Sequence, residues 1–190
     1  ITVATGMAVV TFGLILLSFL TADSSYFSIA TRMMFLAAGM GLVMAPATES
    51  VMSSLPLAKA GVGSAVNDTT RQVGGALGVA VIGSVLASIY ATKLGDFFQT
   101  ATLANAFPGK IVPEQFKTFA LGGIGTATNA AANLRADNPF PGSGVAADLL
   151  ESASRAAFVD GMRVGMRVAA GVAVLGVLVA AKYLPARTSA

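Results

Sequence analysis

Cysteine, histidine and tryptophan are absent from this 190-residue sequence, and Asp, Glu, Lys and Arg together make up only 11% of it. Without cysteine there is no disulfide framework and no thiol nucleophile. Without histidine the usual imidazole bases and the usual zinc or haem ligands are missing as well. An average soluble domain carries about 25% charged residues, so this chain has too few to clothe an ordinary water-facing surface. The 12 Lys and Arg against 9 Asp and Glu leave a net charge of +3, too sparse for a nucleic-acid surface. No convergent nucleophile–base pair or acid–acid pair stands out, so the chain reads as no enzyme, with no metal and no other cofactor. What remains is apolar: 55% of the residues are hydrophobic and the mean hydropathy is +0.75. That is the composition of an all-α membrane protein.

A bilayer core about 30 Å thick needs roughly 20 apolar residues of helix. The first charge is Asp23, so residues 1–22 hold one such run, and helix A is expected at 3–22. Between Arg32 and Glu49 lies MMFLAAGMGLVMAPAT, which with interfacial flanks gives helix B at 29–50. Between Arg71 and Lys93 lies QVGGALGVAVIGSVLASIYAT, giving helix C at 72–92. The run from Arg167 to Lys182 is shorter, and helix D at 161–184 spans only by taking in Arg163 and Arg167. A polar turn, DSSYFS, joins A to B, and a segment containing Pro56 joins B to C. Residues 95–160 carry Pro108, Pro113, Pro139 and Pro141. They read as an extramembrane loop cut into short helices near 114–121, 126–135 and from about 145 into helix D, capped by Ser143 or Gly144.

Parity puts the N-terminus, the B–C loop and the tail at 185–190 on one side, which bears Lys59, Arg71, Lys182 and Arg187 in short segments. By the positive-inside bias, both termini are expected in the cytoplasm and 95–160 outside, in a multi-pass protein of the plasma (inner) membrane. The chain opens ITVATGMAVV, with neither an initiator Met nor a charged leader, and reads as processed or as a fragment.

Small residues dominate the spans, as close helix packing in lipid requires. Gly74 and Gly78 make one GxxxG step, and Gly161 and Gly165 another; each is a packing face or a smooth face on which helices slide. Pro46, behind Gly39 and Gly41 in helix B, frees a backbone carbonyl and either kinks the helix passively or shapes a cavity or gate. Arg32 and Glu49 stand 17 residues apart, roughly 25 Å along a helix, and so mark the two interfaces rather than a mid-membrane relay. Asn67, Arg71, Gly74 or Gly75, and Gly78 share one helical face, with Gln72 beside them. Arg71 either caps the cytoplasmic edge or bonds across to a neighbouring element. Asp160, Arg163 and Arg167 share a face of helix D; the two arginines either snorkel to the outer interface or contact the 95–160 loop. GGIGTA at 122–127 mimics a dinucleotide loop but follows no strand, and Asn67-Asp68-Thr69 is a glycosylation sequon only in form.

Arg32, Gly39, Gly41 and Pro46 on one helix, Pro56 and Gly61 in the loop after it, and then Arg71-Gln72-x-Gly74-Gly75-Ala76-x-Gly78 make a recognisable series. From Arg32 to Ser84 the chain resembles the late helices of major facilitator superfamily drug:proton antiporters of the 14-helix subgroup. A long external loop and a final helix opening AFVDGMR fit the same group, while Val43 stands where a third glycine is expected. The resemblance implies a fold of four transmembrane helices forming part of a C-terminal lobe, which cannot alternate access without the missing N-terminal lobe. It implies export of small lipophilic or cationic drugs in exchange for protons, with the lipid bilayer as solvent. It also makes Gly39, Gly41, Pro46, Gly74, Gly75 and Gly78 cavity or gate candidates, and Arg32, Glu49, Asn67, Arg71 and Gln72 the polar candidates. Two rivals are a complete four-helix transporter working as a dimer, with Glu49 as its carboxylate, and a scaffold whose 95–160 loop binds a partner.

Overall fold

The computed structural model describes residues 2–100, 105–107, 112–137 and 139–183. Pro108 and the tail at 185–190, with Arg187, lie outside the described residues, as does residue 184 at the end of expected helix D. Among the described residues the regular structure is entirely helical. Three helices are long and apolar enough to cross a membrane, and a fourth is apolar but shorter. The chain is thus an all-α membrane protein.

Helix α1 spans Thr2–Leu17 and stops short of the 20 residues expected for helix A. Its 16 residues rise about 24 Å. It ends where the Ser18 hydroxyl turns back to the Ile15 carbonyl at 2.7 Å and the chain enters a polar turn. In that turn Ser24 Oγ accepts the Thr21 N–H, and Ser25 caps the next helix by accepting the Ser28 N–H. Helix α2 (Tyr26–Ser53) runs through Pro46 without a break. The Ser54 hydroxyl then bonds the Val51 carbonyl, Pro56 bars continuation, and a 3-10 turn at Leu57–Lys59 leads into α3.

Helix α3 (Ala60–Phe98) begins twelve residues before the expected start of helix C. Nothing in AGVGSAVNDTT forbids a helix, and the hydroxyls of Thr69 and Thr70 bond the Ala65 and Val66 carbonyls one turn back. Its 39 residues rise about 58 Å, well beyond one bilayer core. After the short helices α4 (Glu114–Leu121) and α5 (Ile124–Asp137), α6 (Ser143–Tyr183) is a single helix of 41 residues. It crosses the boundary expected between loop and span at 160/161. Gly123 and Gly142, at φ of 149° and 97°, make the turns that precede α5 and α6; only glycine takes these values without strain.

The chain divides into two compact units, one of residues up to Gly83 and from Gly165 on, the other of Ser84–Val164. In the first, α1 and α2 form an antiparallel hairpin held by glycines. A Cβ on Gly13 would lie 2.9 Å from Leu36 N, and one on Gly39 would lie 2.6 Å from Val10 N. The backbones touch there, as close packing in lipid demands. The second unit has a core of its own, in which Leu94, Ala120, Ala131, Ala147 and Leu150 are completely buried. Phe107 stacks with Phe140 at 5.2 Å and meets Phe116 edge-on at 5.5 Å, and the Tyr90 hydroxyl donates to the Ala120 carbonyl at 3.1 Å. The 95–160 stretch is therefore the greater part of a packed body that also uses the end of α3 and the start of α6.

Candidate cavity and gate residues

In the first unit the candidate residues lie on α2 and α3, and one of them joins the two helices. Arg71 extends from α3 to α2, where its Nη2 donates to Thr48 Oγ1 at 2.7 Å and to the Met44 carbonyl at 3.3 Å. Thr48 Oγ1 in turn donates to the same Met44 carbonyl at 2.9 Å. The acceptors flank Pro46, the residue that cannot supply its own backbone donor to the helix. The carbonyl that Pro46 leaves without its helix donor is that of Leu42, one turn back, so Arg71 adds charged bonds beside the proline rather than replacing the lost one, and such bonds are stronger than neutral ones. Arg71 is thus a cross-strut between two helices of one unit.

The glycines of the candidate set divide into two kinds. Gly39 is buried in the hairpin, where its missing side chain admits Val10 and the Gly6 carbonyl. Gly41, Gly74, Gly75 and Gly78 meet nothing within 4 Å of where a Cβ would stand. On α3 the glycines at 74, 75 and 78 follow Arg71 by one to two turns, and Gly74 and Gly75 are exposed. They form a smooth strip with space in front of it. Asn67 is half-buried, Gln72 is exposed, and neither makes a side-chain hydrogen bond among the described residues. Glu49 is exposed beside Thr48.

Arg32 is half-buried near the start of α2, and its Nη1 is a buried donor without a hydrogen-bond partner among the described residues. By the hairpin register that pairs Gly13 with Leu36, it stands opposite the end of α1. A guanidinium donor left without an acceptor is costly. Three partners escaped the sequence reading. Gly6 and Gly13 form the α1 side of the hairpin contact, and their spacing of seven residues is the signal that could have found them. Thr48 is legible only as a hydroxyl two residues past Pro46.

In the second unit, charge lies on the outside. Arg135 on α5 donates to Asp148 Oδ1 at 2.6 Å and to Glu151 Oε2 at 2.6 Å, both on α6, and Arg155 also pairs with Glu151. The hydrogen bond from Arg135 holds the Glu151 carboxyl below the usual carboxylate range, and the bond to Asp148 raises Arg135. A shallow groove of about 420 Å³ runs between α4 and α5, walled by Phe116, Phe119, Ala130 and Leu134 with Asp137 at its end. No group of His, Cys, Asp or Glu suited to a metal ion occurs among the described residues.

No protein-family model matches the chain, and no solved structure does. Among curated proteins it is 28% identical over 178 residues to a multidrug efflux pump, LfrA, of Mycolicibacterium smegmatis, a match covering 91% of this chain and 31% of that protein. It is 29% identical over 167 residues to the tetracenomycin C resistance and export protein of Streptomyces glaucescens, covering 86% of this chain and 28% of that one. The chain therefore spans about a third of the length of the curated relatives it matches. Its likeness is to efflux and export proteins, not to enzymes.

Proposed function

We propose that these helices are the last four of a 14-helix major facilitator multidrug:proton antiporter of the plasma membrane, exporting lipophilic or cationic compounds. One observation carries the reading: nine-tenths of the chain aligns with an efflux pump, yet only 31% of that pump is covered. Both termini lie in the cytoplasm and the second unit lies outside. The remaining helices supply the N-terminal lobe and the groups that carry protons.

In this reading Arg71 is a stiffener. Its bonds to Thr48 and Met44 fasten α3 to α2 beside Pro46, so the two helices move as one piece when the lobes rock. The open strip at Gly74, Gly75 and Gly78 then forms the cytoplasmic gate surface, because it is smooth and no described residue covers it. Gly41 and Pro46 border the substrate cavity, where selection is largely apolar.

The test is export of a lipophilic cationic dye by the full-length protein in inverted membrane vesicles. The reading expects uptake into the vesicles that stops when a protonophore collapses the pH gradient. Uptake indifferent to the gradient would refute proton coupling. A native polypeptide of only 19 kDa in its source membrane would refute the assignment to a larger transporter.

A further inference from the structure

The groove between α4 and α5 holds about 420 Å³ and is built wholly from residues of the second unit. That volume lies within the range of small-molecule sites. Part of its wall is rigid. Phe116 meets Phe98 at 6.4 Å and Phe107 at 5.5 Å, both edge-on, which fixes its ring. Phe119, one turn along α4, is 50% exposed and makes no ring contact among the described residues. An aromatic ring left open in a pocket wall offers its negative face to a cation, or its whole surface to another ring.

The charge of the groove has one sign. Of its lining residues only Asp137 is charged, and none is Lys or Arg. Asp137 closes α5, at the end where a helix already carries partial negative charge. A carboxylate is unfavourable there unless a cation answers it. Arg135, the basic residue of that last turn, does not, because Asp148 and Glu151 of α6 take its guanidinium. Lys117 of α4 is committed to Glu114 at 2.5 Å. Asp137 itself is exposed, with no ion pair or hydrogen bond among the described residues. One carboxylate supplies too few oxygen ligands for a bare metal ion. A positive charge suited to this recess therefore comes on an organic body that the phenylalanines can hold.

We propose that the groove binds a flat organic cation with an aromatic body, its ring against Phe119 and its positive end toward Asp137. The inference goes beyond the transport reading, because such binding needs neither a gate nor a second lobe.

The experiment uses the purified full-length protein and azidoethidium, a flat aromatic cation that attaches covalently on illumination. Mass spectrometry then locates the label. It is expected within residues 115–137, falling about fivefold in Asp137→Lys and Phe119→Ala and about twofold in Asp137→Asn. Excess ethidium should displace it, whereas the anionic dye anilinonaphthalene sulfonate should not. Asp137→Asn keeps the shape of an exposed side chain, so its melting temperature and protease resistance should stay parental. Label lost from that variant then reads binding and not folding. The inference is overturned by no label in this stretch, by label unchanged in both Asp137 variants, or by equal displacement with the anionic dye. Label in the groove of a protein that moves no dye would tell against the transport reading alone. Export without such label would tell against the groove alone.

Discussion

At the scale of single residues, glycines with similar sequence surroundings carry different loads. A methyl group on Gly39 would stand 2.6 Å from the Val10 nitrogen, a backbone atom that cannot step aside. Gly39→Ala should therefore push α1 from α2 and cost about 1–3 kcal/mol, read as a lower melting temperature of the purified full-length protein. Gly78→Ala meets open space and trades a poor helix former for a good one. Its melting temperature should hold or rise; a loss of export at unchanged melting would place another lobe against that strip, and unaltered export would remove Gly78 from the gate. Arg71 offers a second contrast. Arg71→Lys keeps the charge but not the longer guanidinium whose Nη2 reaches both Thr48 and Met44, so export should fall, with Thr48→Val producing part of the same loss. Parental export by both variants would leave the strut without a function. In the sequence, Gly39 and Gly78 looked alike because a Gly-rich pattern records that a side chain is missing, not which neighbour fills the gap.

At the scale of elements, hydropathy located the apolar middles of the helices and missed several of their ends. The stretch from Arg71 to Lys93 stood out because charge stops there, but α3 continues for a further turn and more at each end, where polar residues suit a helix in water as well as a loop. Similarly, α6 passes unbroken through Asp160, Arg163 and Arg167, since charges set depth and not helicity. The short helices near 114–121 and 126–135 were visible from their bounding prolines and glycines. Their shared core was not, because Ala127, Ala130 and Ala131 reveal nothing of their neighbours until α4 and α6 are in place. That core is testable: Leu150 is fully buried, and Leu150→Ala should cost about 2–5 kcal/mol and make residues 114–160 cleavable by protease. Equal protease resistance would show that the core does not hold this unit together. The Arg135–Glu151 link adds a pH dependence. Glu151 is lowered by Arg135, so its stabilisation is complete above the unfolded carboxyl value of about 4.3 and fades as pH falls through the lower folded value. Melting at pH 3.5 should drop relative to pH 7, and Glu151→Gln should narrow that gap; an unchanged gap would assign the acid sensitivity to other carboxylates.

At the scale of the whole molecule, the apolar surface is the governing quantity. Of the most apolar 18-residue stretch of α3, only 6% is buried, and the same share holds for α2. Val73, Leu77 and Val79 of α3 and Met33, Met34 and Phe35 of α2 are all exposed. Lipid can cover such side chains, and the glycine strip of α3, with open space before it, leaves room for a further helix to pack closely. Association in lipid gains little from apolar burial and depends on close packing and polar contacts, the two features left open here. The expected consequence is complementation. Expressed alone, these 190 residues should insert into the membrane and give no gradient-driven dye movement, since alternating access needs two lobes. Co-expressed with the preceding helices of the same transporter as a separate chain, they should restore export. Dye movement by the 190 residues alone would instead favour a self-sufficient small transporter and direct mutagenesis to Glu49, the exposed carboxylate beside the Arg71 strut.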